Sequence, residues 1–326
     1  MAGYAAQAMP AALPGGRVLA GEDRWAVPDV RRRLQLALAG IWLLDAILQF
    51  QAFMFTKGFA QLLAGTAPGN PAFIADPINW AARIISEHGT SANAAFAIIQ
   101  LLLGLGIALR PTTRIALAAS IAWALAVWWF GEGLGGVLNG GASPVNGAPG
   151  AVIIYGLLAV LLWPPRHERP ASFAAGRFTG PIVAKALWLV LWGSLAYVAL
   201  WPATRAPKAL SGMISGMAAG QPGWLASADN HLGSFLATRG AAAAVVLAVV
   251  LAVVAAGVFI PQPAGVRAIL VLAIVTAAAL WVTEGLGGML TGGGTDPNSG
   301  PLLALLALCY WPLASRSHPA AQPEAA

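Results

Sequence analysis

Charge is what this sequence has least of. Only 9% of its 326 residues are Asp, Glu, Lys or Arg, 58% are apolar, and the mean hydropathy is +0.73. A soluble domain carries about a quarter charged residues. A water-soluble core cannot hide so much apolar surface, so lipid is the solvent this composition calls for. Cysteine is nearly absent: Cys309 stands alone, which excludes an intrachain disulfide, a CxxC redox pair and an iron–sulfur site. His88, His167, His231 and His318 all fall outside the apolar runs, so no axial pair for a haem in the bilayer is on offer. The first 30 residues lack the continuous apolar stretch of a signal peptide. No Ser/His/Asp grouping and no HExxH occurs, so no catalytic residue is assigned. The net charge of +6 comes from residues in short loops, without a basic stripe interleaved with aromatics, which argues against nucleic acid as a partner.

What is present is a series of apolar runs, at about 34–56, 93–109, 115–131, 149–164, 184–201, 241–260, 267–283 and 301–314. A full span takes roughly 20 residues, so most qualify with their flanks; the fourth and eighth are short and follow Gly/Pro-rich stretches. Threading eight spans from a cytoplasmic N-terminus puts Arg17, Arg24, Arg31, Arg32, Arg33, Arg110, Arg114, Arg166, Arg169, Arg177, Lys185, Arg267 and Arg316 inside, 13 of the 18 basic residues. Lys57, Arg83, Arg205, Lys208 and Arg239 remain outside. That bias favours both termini in the cytoplasm. Trp128, Trp129, Trp201 and Trp281 then mark the outer interface, and Trp163 and Trp311 the inner one.

The sequence also repeats itself. Gly69-Asn70-Pro71-Ala72-Phe73-Ile74-Ala75 matches Gly220-Gln221-Pro222-Gly223-Trp224-Leu225-Ala226 at an offset of 151, which also pairs Lys57 with Lys208 and Asn79 with Asn230. Glu132-Gly133-Leu134-Gly135-Gly136 matches Glu284-Gly285-Leu286-Gly287-Gly288 at an offset of 152, and Pro149 matches Pro301. The expected fold is therefore an all-α membrane protein of eight transmembrane helices, arranged as two four-helix repeats. Each copy has an even number of spans, so the two are parallel, related by an axis along the membrane normal. The expected divisions are a mobile cytoplasmic tail (1–32), the first repeat (33–164), a cytoplasmic linker (165–183), the second repeat (184–314) and a second cytoplasmic tail (315–326).

Each half resembles the DoxX-like group of four-helix membrane proteins. The resemblance rests on Arg33 before the first helix, Lys57 after it, and Leu101-Leu102-Leu103-Gly104-Leu105-Gly106 running through to Thr113-Arg114. It covers most of the first half and less of the second. That group often has a Glu early in the second helix; here Gln100 stands there, and the second half offers only apolar residues such as Leu251 and Ala252. The resemblance implies a plasma-membrane subunit associated with a quinone-linked redox partner. Two other functions fit the residues: a small-solute or ion transporter with an outward-facing site between the repeats, and an assembly or scaffold protein.

Six residues are candidates for ligand binding. Glu132 and Glu284 end the third and seventh spans, before glycines that allow sharp turns. Short spans at matching positions in two halves point to a binding site, although carboxylates hydrated at an interface cost little. Lys57 and Lys208 are repeat-related, and an ion pair with the Glu of the same copy is expected; the plain alternative is a snorkelling lysine. Asp45 lies near the middle of the first run, where a lipid-facing charge costs roughly 3 kcal/mol. Gln49, four residues on, shares its face, and that face should look inward. The second copy has Ala196 and Leu200 there, so the first half would carry such a site and the second would be mainly scaffold; the plain alternative is a protonated Asp hydrogen-bonded to a neighbouring helix. A copper site drawn from Met54, Met213, Met217, Met289, His88 and His231 has suitable donor types. The two histidines do not correspond in the repeat, and Met213 with Met217 suits packing on a surface helix, so no metal site is assigned.

Overall fold

The computed structural model describes residues 29–165, 167, 169 and 171–313. The outer parts of both tails, with Arg17, Arg24, Arg316 and His318, lie outside the described residues, as does Arg166. Among the described residues every regular element is a helix.

The first half runs α1 (Val30–Leu48), a 3-10 turn (Ala52–Phe55), α2 (Lys57–Ala64), α3 (Ala72–Glu87), α4 (Gly89–Ala108), α5 (Thr113–Phe130), 3-10 turns at Gly133–Gly136 and Pro144–Asn146, and α6 (Ala151–Leu161). A short α7 (Gly176–Thr179) follows. The second half runs α8 (Pro181–Val198), α9 (Pro202–Arg205), α10 (Ala209–Met217), α11 (Gly223–Leu236), α12 (Gly240–Gly257), α13 (Pro263–Thr283), a 3-10 turn (Gly285–Gly288) and α14 (Ser299–Cys309). Several helix ends have a local cause. Asp29 caps α1 by accepting from the Arg31 backbone N–H at 2.8 Å. Pro181 and Pro263 open α8 and α13, where a missing N–H costs nothing. Arg32 reaches over from α1 and donates to the carbonyls of Ile107 (2.9 Å) and Ala108, satisfying the C-terminal end of α4.

Each of the eight apolar runs holds a helix. Five of these, α4, α5, α8, α12 and α13, are long and apolar enough to cross a membrane. The other three differ for physical reasons. Arg31, Arg32, Arg33 and Asp45 load α1 with charge, and the helix ends at Leu48 rather than continuing to residue 56. Asp45 is therefore in the last turn of α1, not at mid-helix. α6 and α14 have 11 residues each, about 16 Å at 1.5 Å per residue, against roughly 30 Å of hydrocarbon.

Packing follows one scheme in both halves: α1 lies on α4, α4 on α5 and α5 on α6, while α8 lies on α12, α12 on α13 and α13 on α14. The halves meet where α6 packs on α14 and α1 on α14. One apolar core runs through both, including Trp42, Leu158, Trp188, Trp192, Leu306 and Tyr310. The connection between the halves belongs to that core. Phe173, Ala174 and Ala175 are buried, the Ala175 N–H donates to the Cys309 carbonyl at 2.9 Å, and the Phe173 and Tyr310 rings stack at 5.4 Å. The EGLGG motifs adopt one backbone twice. Leu134 (φ 55, ψ 34) and Leu286 (φ 53, ψ 35) share the left-handed region with the glycines beside them, so each motif is a left-handed turn.

Candidate functional site

A cavity of about 420 Å³ opens in the first half, within the size range of small-molecule sites. Its wall is mostly ring and aliphatic surface, including Trp42, Phe59, Trp80, Phe96, Trp123 and Phe130. Its polar groups are Asp45 and Gln49 from α1, Thr66 after α2, Gln100 from α4, Glu132 after α5, Tyr155 from α6, and Thr295 and Asp296 from the loop before α14.

Asp45 and Gln49 both face inward, with exposures of 1% and 2%. The Tyr155 hydroxyl donates to Asp45 Oδ2 at 2.6 Å, and the Tyr155 ring packs against Trp42 at 4.2 Å between centroids. Asp45 Oδ1 is buried with no partner. Gln49 is committed elsewhere: its Nε2 donates to Asn93 Oδ1 at 2.5 Å, and Asn93 Nδ2 donates to the Gln49 carbonyl at 2.8 Å. Gln49 thus ties α1 to α4 and leaves Asp45 to face the cavity. At the matching second-half positions Ala196 is half-buried and Leu200 exposed.

The left-handed turns determine what the twin glutamates meet. Each turn sends the chain back so that the Glu reaches the N-terminus of the short helix that follows. Glu132 Oε1 accepts from the Val152 backbone N–H at 3.2 Å; Glu284 accepts from the Ser299 hydroxyl at 2.6 Å. A carboxyl at a helix N-terminus meets unpaired N–H groups and the positive end of the dipole. Glu132 is half-buried as a residue, yet its Oε2 is buried without a partner, as is Glu284 Oε2. Burial pushes each carboxyl up to about 8, with Asp296 raising Glu132 further and the N–H groups of Ala151 and Val152 opposing the shift. Burial also raises Asp296, which is held by the Thr295 hydroxyl at 2.9 Å and the Asn298 N–H at 2.7 Å.

The expected Glu–Lys ion pairs do not form. No salt bridge within 4 Å joins Lys57 to Glu132 or Lys208 to Glu284 among the described residues. Lys57 opens α2 and Lys208 precedes α10 with φ 64. Both are exposed, while the carboxyls turn toward α6 and α14. Lysines seeking water and carboxyls seeking helix N-termini are drawn in different directions. Of the six candidate residues, the cavity gathers Asp45, Gln49 and Glu132. Glu284 sits at the equivalent place in the other half, and the two lysines lie outside.

Sequence reasoning missed Tyr155, Asp296 and the ring wall. Tyr155 carried a usable signal, since a tyrosine in an apolar helix needs a hydroxyl partner. Asp296 carried none, because Pro144 stands at the matching offset of 152. Met54 is in an apolar cluster with Phe59 and Ile85, and Met213 packs on Leu210 and Ile214. His231 hydrogen-bonds within its own helix, to the Ser227 carbonyl at 2.7 Å.

The fold is all-helical, with five helices suited to a lipid bilayer and a partly acidic, ring-walled cavity, a combination that fits a multi-pass membrane protein. Comparison with family models, with characterised proteins and with solved structures finds nothing that matches this chain.

Proposed function

We propose that this chain is an eight-span plasma-membrane protein made of two parallel four-helix halves, with both termini cytoplasmic, and that it transports a small amphiphilic solute through the cavity of its first half. Eight helix-bearing apolar runs, the shared packing scheme and the twin left-handed turns support the 4+4 arrangement. One observation carries the functional reading: Asp296, from the second half, lines a cavity otherwise built by the first. A site at the contact of two bodies changes shape when they move, as alternating access requires. The test is solute flux in proteoliposomes with an Ala126→Trp variant, which places an indole in the cavity. Flux above empty liposomes that the variant abolishes is expected; flux equal in both proteins overturns the reading.

A second reading, the quinone-linked membrane subunit, draws on the DoxX-like resemblance and on the wall itself. Flat rings beside Tyr155 and a protonated Glu132 would suit the apolar ring and carbonyl oxygens of a quinone. It predicts quinone or a redox subunit in the protein purified from native membranes, and a preparation free of both counts against it.

A further inference from the structure

The buried unpartnered polar atoms that line the cavity are all oxygens. Asp45 Oδ1, Gln100 Oε1 and Glu132 Oε2 are buried oxygens without a donor, and Asp45 and Gln100 are 1% and 8% exposed. Asp296 adds a third carboxyl, and no Lys, Arg or His lines the space. A buried oxygen without a partner is costly, and once a carboxyl proton has left a positive charge satisfies these oxygens together, so the ligand that fits is cationic. A bare metal ion does not suit. Among the described residues no three His, Cys, Asp or Glu side chains lie close enough to hold one, and most of the wall is apolar. Indole and phenyl faces do attract organic ammonium ions, whose charge is spread over a large, weakly hydrated surface.

We propose that the polar end of this cavity binds the head of an organic ammonium cation between Asp45, Glu132 and Asp296, with its apolar body against Trp42, Trp80 and Trp123. This rests on the reading of the cavity as a solute site and names the class of solute. Binding is an exchange. The titratable groups facing the head are Asp45 on α1, Tyr155 on α6, and Glu132 and Asp296 on the two loops; the lining residues of α2, α3, α4 and α5 include none. Empty, Glu132 holds its proton up to about pH 8. A cation beside it favours the carboxylate, so the head enters as the carboxyl proton leaves to water. Net charge in the cavity is unchanged, and cation and proton exclude one another at Glu132, the competition on which proton-coupled antiport depends.

The experiment compares benzyltrimethylammonium with neopentylbenzene, in which carbon replaces the charged nitrogen at the same shape. Binding is followed by tryptophan fluorescence of the full chain in nanodiscs, with empty nanodiscs as the blank. The cation should bind at least about tenfold more tightly than its isostere. That ratio should rise with pH up to about 8 and then level. In Asp45→Asn and Glu132→Gln it should fall toward one, each variant's own isostere affinity reporting that its cavity is intact. A ratio near one in the wild type, or one indifferent to pH, overturns the ammonium proposal and leaves the cavity as a neutral-solute site. If neither probe binds, the solute-site reading fails with it.

Discussion

One contact reduces the cost of burying Asp45: an oxygen of its carboxyl accepts from Tyr155. Its place in the last turn of α1, at the negative end of the helix dipole, works the other way. Tyr155→Phe removes that donor and keeps the ring packed on Trp42, so it should lower stability by about 1–3 kcal/mol. Thermal unfolding of the detergent-purified protein reads this directly, and an unchanged midpoint would show that the bond contributes nothing. Asp45→Asn still accepts from the hydroxyl and should fall well short of that loss. Glu284 makes a pH prediction. Its carboxyl is raised from 4.5 to about 8 in the folded protein, so the folded state holds a proton the unfolded chain has released. The stability this supplies is full below about pH 4.5 and is lost as pH rises through 8. Wild-type protein should therefore unfold at lower temperature at pH 9 than at pH 5. Glu284→Gln should shrink that difference, leaving the share that belongs to the other raised carboxyls, Glu132 and Asp296 among them. An identical difference in the variant would mean that Glu284 titrates normally.

At the scale of elements, the left-handed turn is the device that positions the site. A β-carbon built on Gly135 would lie 2.1 Å from the Pro149 carbonyl oxygen, and one on Gly287 would lie 2.7 Å from the Pro297 carbonyl carbon; both residues have φ near +66°. Gly135→Ala and Gly287→Ala should each destabilise by about 2 kcal/mol or more, since strain and collision act together. Gly212, within α10, has nothing within 4 Å of its β-carbon position. Gly212→Ala should be neutral or stabilising by up to about 1 kcal/mol. Equal midpoints for all three variants would contradict the turn geometry. These turns also separate what the sequence disclosed from what it did not. The duplicated EGLGG was plain, and glycine signalled a sharp turn. The partner of each Glu was not visible, because a run of left-handed residues reverses the chain onto a helix start 15 to 20 residues later, and no side-chain pattern encodes that contact. The inward face of Asp45 and Gln49 could be read from their i, i+4 spacing. The end of α1 at Leu48 could not, since Gln49 to Phe55 has no proline or glycine to stop a helix.

For the whole molecule, the question is whether the two halves face the same way. The proposed threading rests on the 13-to-5 distribution of basic residues; with the proposed four spans per copy, an even number, the copies would be parallel. An odd number would invert the second. Four exposed positions discriminate: Ser91 at the start of α4, Thr112 before α5, and their counterparts Ala242 in α12 and Gln262 before α13. The native thiol does not interfere, because Cys309 is buried. Single cysteines at Ser91 and Ala242 should label with an impermeant maleimide in intact cells; those at Thr112 and Gln262 should label only after permeabilisation. Labelling at Ser91 and Gln262 would mean inverted halves. Labelling at Thr112 and Gln262 alone would turn the whole chain over. With parallel halves the twin turns lie at one depth, and the loop that carries Asp296 lies on the same side of the membrane as Glu132, where both line the cavity. An inverted second half would put that loop on the opposite membrane face from Glu132. The contact of Asp296 with the cavity is thus itself an argument for the parallel arrangement, and the labelling pattern tests both together.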